Sequence, residues 1–419
     1  MFLSVSVAIS AQGRVGSPYT RYGIGDMCSS TSVRNGSMGG LSYTLPYHQD
    51  INFVNPASTA NIDTLTFIVD FGLNGGFRQY SIQEPESYHI ESDFQLSHLL
   101  FGFSVYKWWK TSIGVLPYSN VGYIIRANDT LLNLSKDYLY AGSGGINRVL
   151  WNNSFSPIKN LSVGINASLL FGKIYQSNAI DFDDDSGAYL NVIEQNIIGV
   201  KDFTFEGGLN YNIDINSKNS LMIGLVYGHN SELYSQRNTL VFNTLSTGSS
   251  AIIDTVFQTI KEEGRIGLPR KIGFGIGYNY DGKLFMGIDF TIHNWKDAQF
   301  FGVLDDLSNG TYSSFGLEYN PNGRNKNSFN KFWQGVSYRT GFYYNKTYFK
   351  LAAGETLISD FGISFGLGLP VKRSKTSYNF SVQIGQRGTL EDNLIKENYA
   401  IFGVSFNIAD VWFIKSKYD

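Results

Sequence analysis

Residues 361–369 read FGISFGLGL, with Phe361, Ile363, Phe365, Leu367 and Leu369 on one parity and Gly362, Ser364, Gly366 and Gly368 on the other. Successive side chains of a strand point to opposite faces, so this stretch has one wholly apolar face and one carrying almost no side chain. The alternation recurs. Leu284, Met286, Ile288, Phe290 and Ile292 oppose Phe285, Gly287, Asp289, Thr291 and His293. Leu161, Val163, Ile165, Ala167, Leu169 and Phe171 share a parity, as do Ala400, Phe402, Val404, Phe406 and Ile408. Tyr378, Phe380, Val382 and Ile384 face away from Asn379, Ser381 and Gln383. A β-sandwich alternates too, so the spacing of the strands has to separate a soluble sandwich from a membrane barrel.

The pattern predicts strands at 65–81, 91–107, 111–126, 138–155, 161–177, 196–213, 219–236, 266–280, 283–295, 333–345, 347–354, 359–370, 376–388 and 397–413, fourteen in all. Connections after even-numbered strands are short: 108–110, 156–160, 214–218, Asp281-Gly282, Lys346 and 371–375. Those after odd strands are mostly long, at 82–90, 127–137, 178–195, 237–265 and 296–332. Short turns at one end and long loops at the other mark an outer-membrane barrel. The expected fold is therefore all-β, a transmembrane antiparallel β-barrel of about fourteen strands.

Composition agrees. Charged residues are 16% and aromatics 15% of the chain, and 45 glycines stand against 9 prolines; an ordinary soluble domain has about 25% charged residues. A net charge of −2 supplies no electrostatic footprint for nucleic acid. With Cys28 alone, no intrachain disulfide or thiolate metal cluster can form. No window offers the roughly 18 apolar residues of a spanning helix, so strands must do the crossing. Residues 1–12, MFLSVSVAISAQ, read as a residual signal peptide, residues 13–62 as a Gly-, Ser-, Asn- and Pro-rich irregular segment, and 63–419 as the barrel. Trp108, Trp109, Tyr138, Tyr140, Tyr399 and Trp412 lie near expected strand ends, as interfacial girdle residues do.

Three stretches carry a family resemblance. LPRKIGFGIGYNYDGKLFMGIDFTIHNW (268–295) resembles the late barrel hairpin of the FadL family of outer-membrane transporters for long-chain fatty acids and hydrocarbons. SMGGLSYTL (37–45) with NPAS (55–58) is similar to that family's N-terminal plug, and the tail from Gly385 to Asp419 resembles the ending of its Bacteroidetes-type members. The resemblance implies that residues 13–62 form a hatch inside the barrel, with Asn55-Pro56-Ala57 at the hand-over to the first strand. From the residues alone, Asn55 can hydrogen-bond neighbouring backbone and Pro56 fixes φ, as in any turn before a strand.

Pro117, between Gly114 and Gly122, sits mid-strand in TSIGVLPYSNVGYIIRA. Proline cannot donate to the ladder, so these residues mark either a β-bulge or a gap between neighbouring strands; the resemblance implies the latter, a lateral opening at a kinked third strand. Asp181, Asp183 and Asp185 alternate as in a calcium loop, but Ser186 and Val192 stand where glycine and glutamate belong, so a solvated acidic loop outside the cell fits better than a metal site. The five histidines show no metal-ligand spacing and no evident nucleophile partner. No enzyme activity and no cofactor is expected.

These features point to a Gram-negative outer-membrane channel for passive uptake of hydrophobic molecules such as long-chain fatty acids or lipids, by hatch movement and lateral exit. The alternative is a FadL-like scaffold or shuttle barrel that binds partner proteins in an outer-membrane secretion or assembly complex.

Overall fold

The computed structural model describes residues 16–28, 31–46, 50–83, 87–131, 134–182, 189–245, 252–304, 307–323, 331–350, 357–391 and 394–411. The expected signal segment, Asp183, Asp185 and Trp412 lie outside them. The chain forms a closed antiparallel barrel of 14 strands. They are β1 (Thr66–Ile82), β2 (Ser87–Tyr106), β3 (Trp109–Leu131), β4 (Leu134–Ile158), β5 (Leu161–Phe182) and β6 (Asn191–Asp214). Next come β7 in two pieces (Asn219–Gly228 and Glu232–Thr244) and β8 in two (Asp254–Gly267 and Arg270–Tyr280). The ring continues with β9 (Leu284–Asn294), β10 (Gly310–Tyr319), β11 (Ser337–Lys350), β12 (Leu357–Pro370), β13 (Ser377–Arg387) and β14 (Lys396–Val411). β14 pairs with β1 from Lys396↔Ser81 to Val411↔Thr66, which closes the ring and rules out a sandwich.

The parity read from the sequence sets the faces. Phe361, Ile363, Phe365, Leu367, Ile288, Phe290, Ile165, Phe402 and Ile408 are exposed on the outside, while Ser364, Asn166, Leu170, Asp289 and Ser405 are buried inside. An apolar outer belt over a polar inner face inverts a soluble protein and suits lipid.

Residues 16–62 lie within the ring. Their short elements are a 3-10 turn at Pro18–Arg21, the bridge strand Asp26–Met27, a helical turn at Val33–Gly36 and a 3-10 helix at Pro56–Asn61. The last packs on β4, β5 and β6, the helical turn packs on β12, β13, β14 and β1, and Tyr43 meets β7 and β8, so contacts come from all sides of the wall. Glycine makes this approach possible. A Cβ on Gly341 (β11) would stand 2.1 Å from the Met38 carbonyl carbon, and one on Gly224 (β7) 2.2 Å from the Tyr43 oxygen. One on Gly164 (β5) would stand 2.4 Å from the Pro56 oxygen. No real Cβ tolerates such contacts, so the side-chain-free inner parity is where this segment's backbone meets the wall.

Several expectations need correction. Fourteen strands form, but through two compensating differences. The supposed loop 296–332 contains β10, whose pattern is weak because Thr311 and Ser313 share the outward parity with Phe315, Leu317 and Tyr319. Conversely, Lys346 is no hairpin: β11 runs through it, pairing Lys346 with Thr311 and Ser359. The supposed loops 82–90, 127–137, 178–195 and 237–265 are largely continuations of paired strands. β3, β4, β5 and β6 run to 23, 25, 22 and 24 residues, against 11, 10 and 11 for β9, β10 and β13. The wall is therefore tall on one side. Residues 320–336, joining β10 to β11 at the short-turn end, break the short-turn rule.

Among the expected girdle residues, Trp108 and Trp109 do stack with Tyr106 and Phe155 at the short-turn end. Tyr399 instead points inward, buried against Tyr343 and Asp360, and Tyr140 lies under the Arg21 guanidinium of the inner segment. Parity decides this: Tyr399 is adjacent to the outward Ala400 and so must face in.

Gly341→Val is expected to expel the Met38 region while the barrel still closes, exposing Arg34 to trypsin and lowering the temperature at which heat-modifiable electrophoretic mobility is lost. Overpacking of this kind costs about 1–3 kcal/mol. Gly207→Val, where a Cβ meets nothing within 4 Å, is expected to change neither readout.

Candidate functional site

The lumen is organised by buried charge. Arg34, on the helical turn of the inner segment, pairs with Asp50 of the same segment and, at 3.1 Å, with Glu318 of β10. Glu318 also accepts from Arg339 of β11 at 2.6 Å, and Arg339 donates to Asn379 of β13 at 2.8 Å. Asp50 in turn accepts from Asn407 of β14 at 3.1 Å. The helical turn itself starts at Ser32, whose hydroxyl accepts from the Asn35 N–H and so fixes Arg34's direction.

A second anchor is Asp289 of β9. Its carboxylate accepts from the successive backbone N–H groups of Ser42 and Tyr43, at 2.6 and 2.9 Å. The Tyr43 hydroxyl meets Thr291 at 2.7 Å, and burial pushes its pKa above the ordinary tyrosine value, keeping it a neutral hydrogen-bond partner.

The third anchor holds the Asn55-Pro56-Ala57 turn. Asn55 caps the Pro56–Asn61 helix by accepting from the Ala57 N–H at 3.1 Å, and donates to the carbonyls of Tyr43 and Leu209 at 2.8 and 3.3 Å. Pro56 stands at the first helical positions, where its missing N–H is no loss. Its carbonyl accepts from Asn152 at 3.0 Å and from Ser154, both on β4. Ala57 is wholly buried.

Gly114, Pro117 and Gly122 lie along one discontinuity of the wall. β3 pairs with β2 only from Tyr106↔Trp109 to Leu99↔Val115, and that pairing stops two residues before Pro117. Gly114 lies where a Cβ would sit 2.4 Å from the Leu99 oxygen. On its other edge β3 keeps its ladder to β4, with a bulge between Pro117 and Ser119. Beyond the gap, β3 instead takes up the bridge strand: Asp26 pairs with Asn120 and Met27 with Ser119. Gly122 receives the inner segment too, since Thr20 Oγ1 bonds both its N–H and its carbonyl, at 3.1 and 3.2 Å. Asp26 is clamped by Arg387 of β13 through two hydrogen bonds of 2.5 Å.

A cavity of about 350 Å³ borders the Asp289 and Asp26–Arg387 anchors and reaches both lips of the gap, at Ser97 of β2 and Pro117 of β3. Its wall includes Arg78, Arg148, Glu206, Lys271, Asp360 and Arg387. Lys271 lies 3.1 Å from Glu206 and Arg148 3.9 Å. These charged side chains share the wall with apolar ones, among them Val54, Leu268, Trp295 and Phe349. Asp181 ends β5 away from it.

Sequence reasoning missed Arg34, Glu318, Arg339 and Arg387. A signal was present: charged residues on the inward parity of strands that otherwise carry Gly, Ser and Asn there. The missing piece was their partners, which are distant in sequence.

Among solved structures, a Pseudomonas aeruginosa FadL homologue matches with a TM-score of 0.59 at 10% identity, covering 91% of this chain and 98% of that one. The Pseudomonas putida toluene transporter TodX matches at 0.57 and 12%, covering 94% and 99%. The Ralstonia pickettii toluene transporter TbuX matches at 0.55 and 12%, covering 90% and 97%. Likenesses at such identity establish the shared FadL-like fold. No curated protein matches. A family model described as BamG covers residues 1–419, and on that match the protein belongs to the BamG family.

Proposed function

We propose that this chain is a Gram-negative outer-membrane barrel that holds partner proteins within an outer-membrane assembly or secretion complex, its lumen closed by residues 16–62 as a fixed plug. The observation that carries this is the chemistry of the lumen. Arg34, Asp289 and Arg387 pin the inner segment to β10 and β11, to β9 and to β13. Breaking one partner of such a buried pair costs about 3–5 kcal/mol. In the cavity that reaches the gap, Arg148, Glu206, Lys271 and Arg387 stand among apolar side chains, so an apolar molecule entering it gains less than the roughly 25 cal/mol per Å² that burial in a wholly apolar site would give. The apolar outer belt supports a seat in a membrane, and the reading sets the short-turn end toward the periplasm and the tall β3–β8 wall outside. Membership of the BamG family along the whole chain fits a role apart from small-molecule channels.

A second reading is favoured by the β2–β3 gap: passive uptake of a hydrophobic compound, fatty acid-like or aromatic, leaving sideways when Asp26–Met27 lifts from β3. The shared fold with the toluene transporters supports it.

Native mass spectrometry of the gently extracted protein is expected to find a protein partner at one per chain and no lipophilic ligand. A stoichiometric lipophilic molecule without a partner would overturn the first reading in favour of the second. The second has its own test. Met27 and Ser119 are register partners, and such neighbours lie within the roughly 4.4–6.8 Å Cα spacing that a disulfide needs. In a Cys28→Ser background, Met27→Cys with Ser119→Cys is expected under that reading to lower uptake of a fluorescent fatty acid about tenfold when oxidised, with recovery on reduction. Pro117→Val, which adds a ladder donor, is expected to lower it as well. Uptake indifferent to both changes excludes lateral exit here.

A further inference from the structure

The upper piece of β8, Asp254–Gly267, is 14 residues long and stands beyond the 11 residues of Arg270–Tyr280. The lower piece already supplies the roughly 9–11 residues that cross hydrocarbon. At about 3.3 Å per residue the upper piece adds roughly 45 Å of chain past the membrane. One edge of it pairs with the upper piece of β7, from Asp254↔Asn243 to Gly267↔Glu232. On the other edge the described residues offer only Ile266↔Phe300 and the Phe301 N–H on the Arg265 carbonyl. From Asp254 to Gly264 that edge has no ladder partner among the described residues.

Edge strands in water are normally blunted by charge, proline or brevity. Here Val256, Phe257, Gln258, Thr259 and Ile260 form an uncharged run, and Val256, Phe257 and Ile260 are 60%, 54% and 65% exposed. Phe257 and Gln258 point to opposite faces, and both faces are open to solvent. Neither lipid nor a core explains apolar side chains at this height, so the surface calls for a partner. Bulges at Thr255/Phe257 and Thr259/Glu262, the latter carrying Lys261 at φ 56°, flank the run and leave Phe257–Thr259 in regular register between them.

We infer that this edge docks an extended segment of a different protein by strand addition: an uncharged, β-branched or aromatic run, antiparallel to β8, with a basic residue opposite Asp254 and an acidic one opposite Lys261. Backbone hydrogen bonds supply the affinity and alternate side chains the specificity. A second copy of this chain is disfavoured by symmetry and charge. Two copies in one membrane are related by an axis along its normal, so their edges run parallel and set Asp254 against Asp254 and Lys261 against Lys261. Like charges directly opposed destabilise a strand pair. The occupant named here rests on the partner-holding reading above and assigns that partner a place.

The experiment uses the full chain in detergent and a fluorescein-labelled probe, acetyl-Glu-Thr-Val-Thr-Val-Thr-Lys-amide. Saturable binding is expected. It should weaken at least tenfold for Val256→Lys with Ile260→Lys, and for a probe N-methylated along one edge. N-methylation along the other edge should leave it unchanged, and exchanging the terminal Lys and Glu should weaken it severalfold. Heat-modifiable mobility checks that the variant barrel is folded. No binding, or binding indifferent to N-methylation, overturns strand addition. The same double variant is carried into the native mass measurement. A partner retained there at full stoichiometry overturns docking at this edge while leaving the partner-holding reading intact, whereas an unaltered chain without any partner removes both.

Discussion

The architecture depends on one steric constraint: the inner segment and the barrel wall meet backbone to backbone. Met38 lies over Gly341 and Gly316, Tyr43 over Gly224, and Pro56 over Gly164. In each place the strand needs its outward neighbours to face lipid, so its inward position is free to be glycine without exposing the wall. Glycine in a strand ordinarily weakens it, but a closed barrel supplies every ladder bond from neighbouring strands, and the inner segment replaces the missing side-chain packing. The inward glycines at 164, 224, 316 and 341 are the complement of an occupied lumen.

Steric room alone would let the segment slide. The charged anchors fix its position, because each joins an atom of the segment to a specific strand. Arg34 reaches Glu318, Asp289 receives two consecutive N–H groups, and Asp26 meets Arg387. Buried ion pairs add little net stability over apolar packing but strongly penalise the wrong arrangement. Their value here is register: a shift by one residue would leave Arg34 charged and unpaired in a medium of low dielectric and strip the buried Asp289 carboxyl of its two N–H donors.

The outward faces were legible in the sequence because period-2 alternation in a lipid-facing wall is direct: Phe361, Ile363, Phe365 and Leu367 have no choice but the outside. What failed was local. β10 faces outward with Thr311 and Ser313 at its upper end, which imitates a loop, and Asn345-Lys346 imitates a hairpin because β11 there leaves the hydrocarbon, where polar residues are tolerated. The Asn55-Pro56-Ala57 turn was legible as a local stop signal, yet its contacts with Asn152, Ser154, Gly164 and Gly208 are pairings across 96 residues or more. The charged lumen stayed hidden for the same reason. A lone Arg339 or Arg387 in a strand carries no sign of its partner.

The wall's unequal height carries the functional argument furthest. A small-molecule channel needs only a lumen and an exit, and strands as short as β9, β10 and β13 already span the membrane. β3 to β8 nevertheless rise well past it, and their upper parts bury a small core of their own around Ala179, Ile193 and Phe242. Ordering that much chain outside the membrane costs about 1–2 kcal/mol per residue in backbone entropy, more than so small a core can offset unaided. The continuous ladder from β3 to β8 returns part of that cost, except along the last edge, where Asp254 to Gly264 of β8 have no ladder partner among the described residues. Among the described residues that raised sheet ends at an edge whose stretch from Thr255 to Ile260 is uncharged, and a strand added there would continue the ladder.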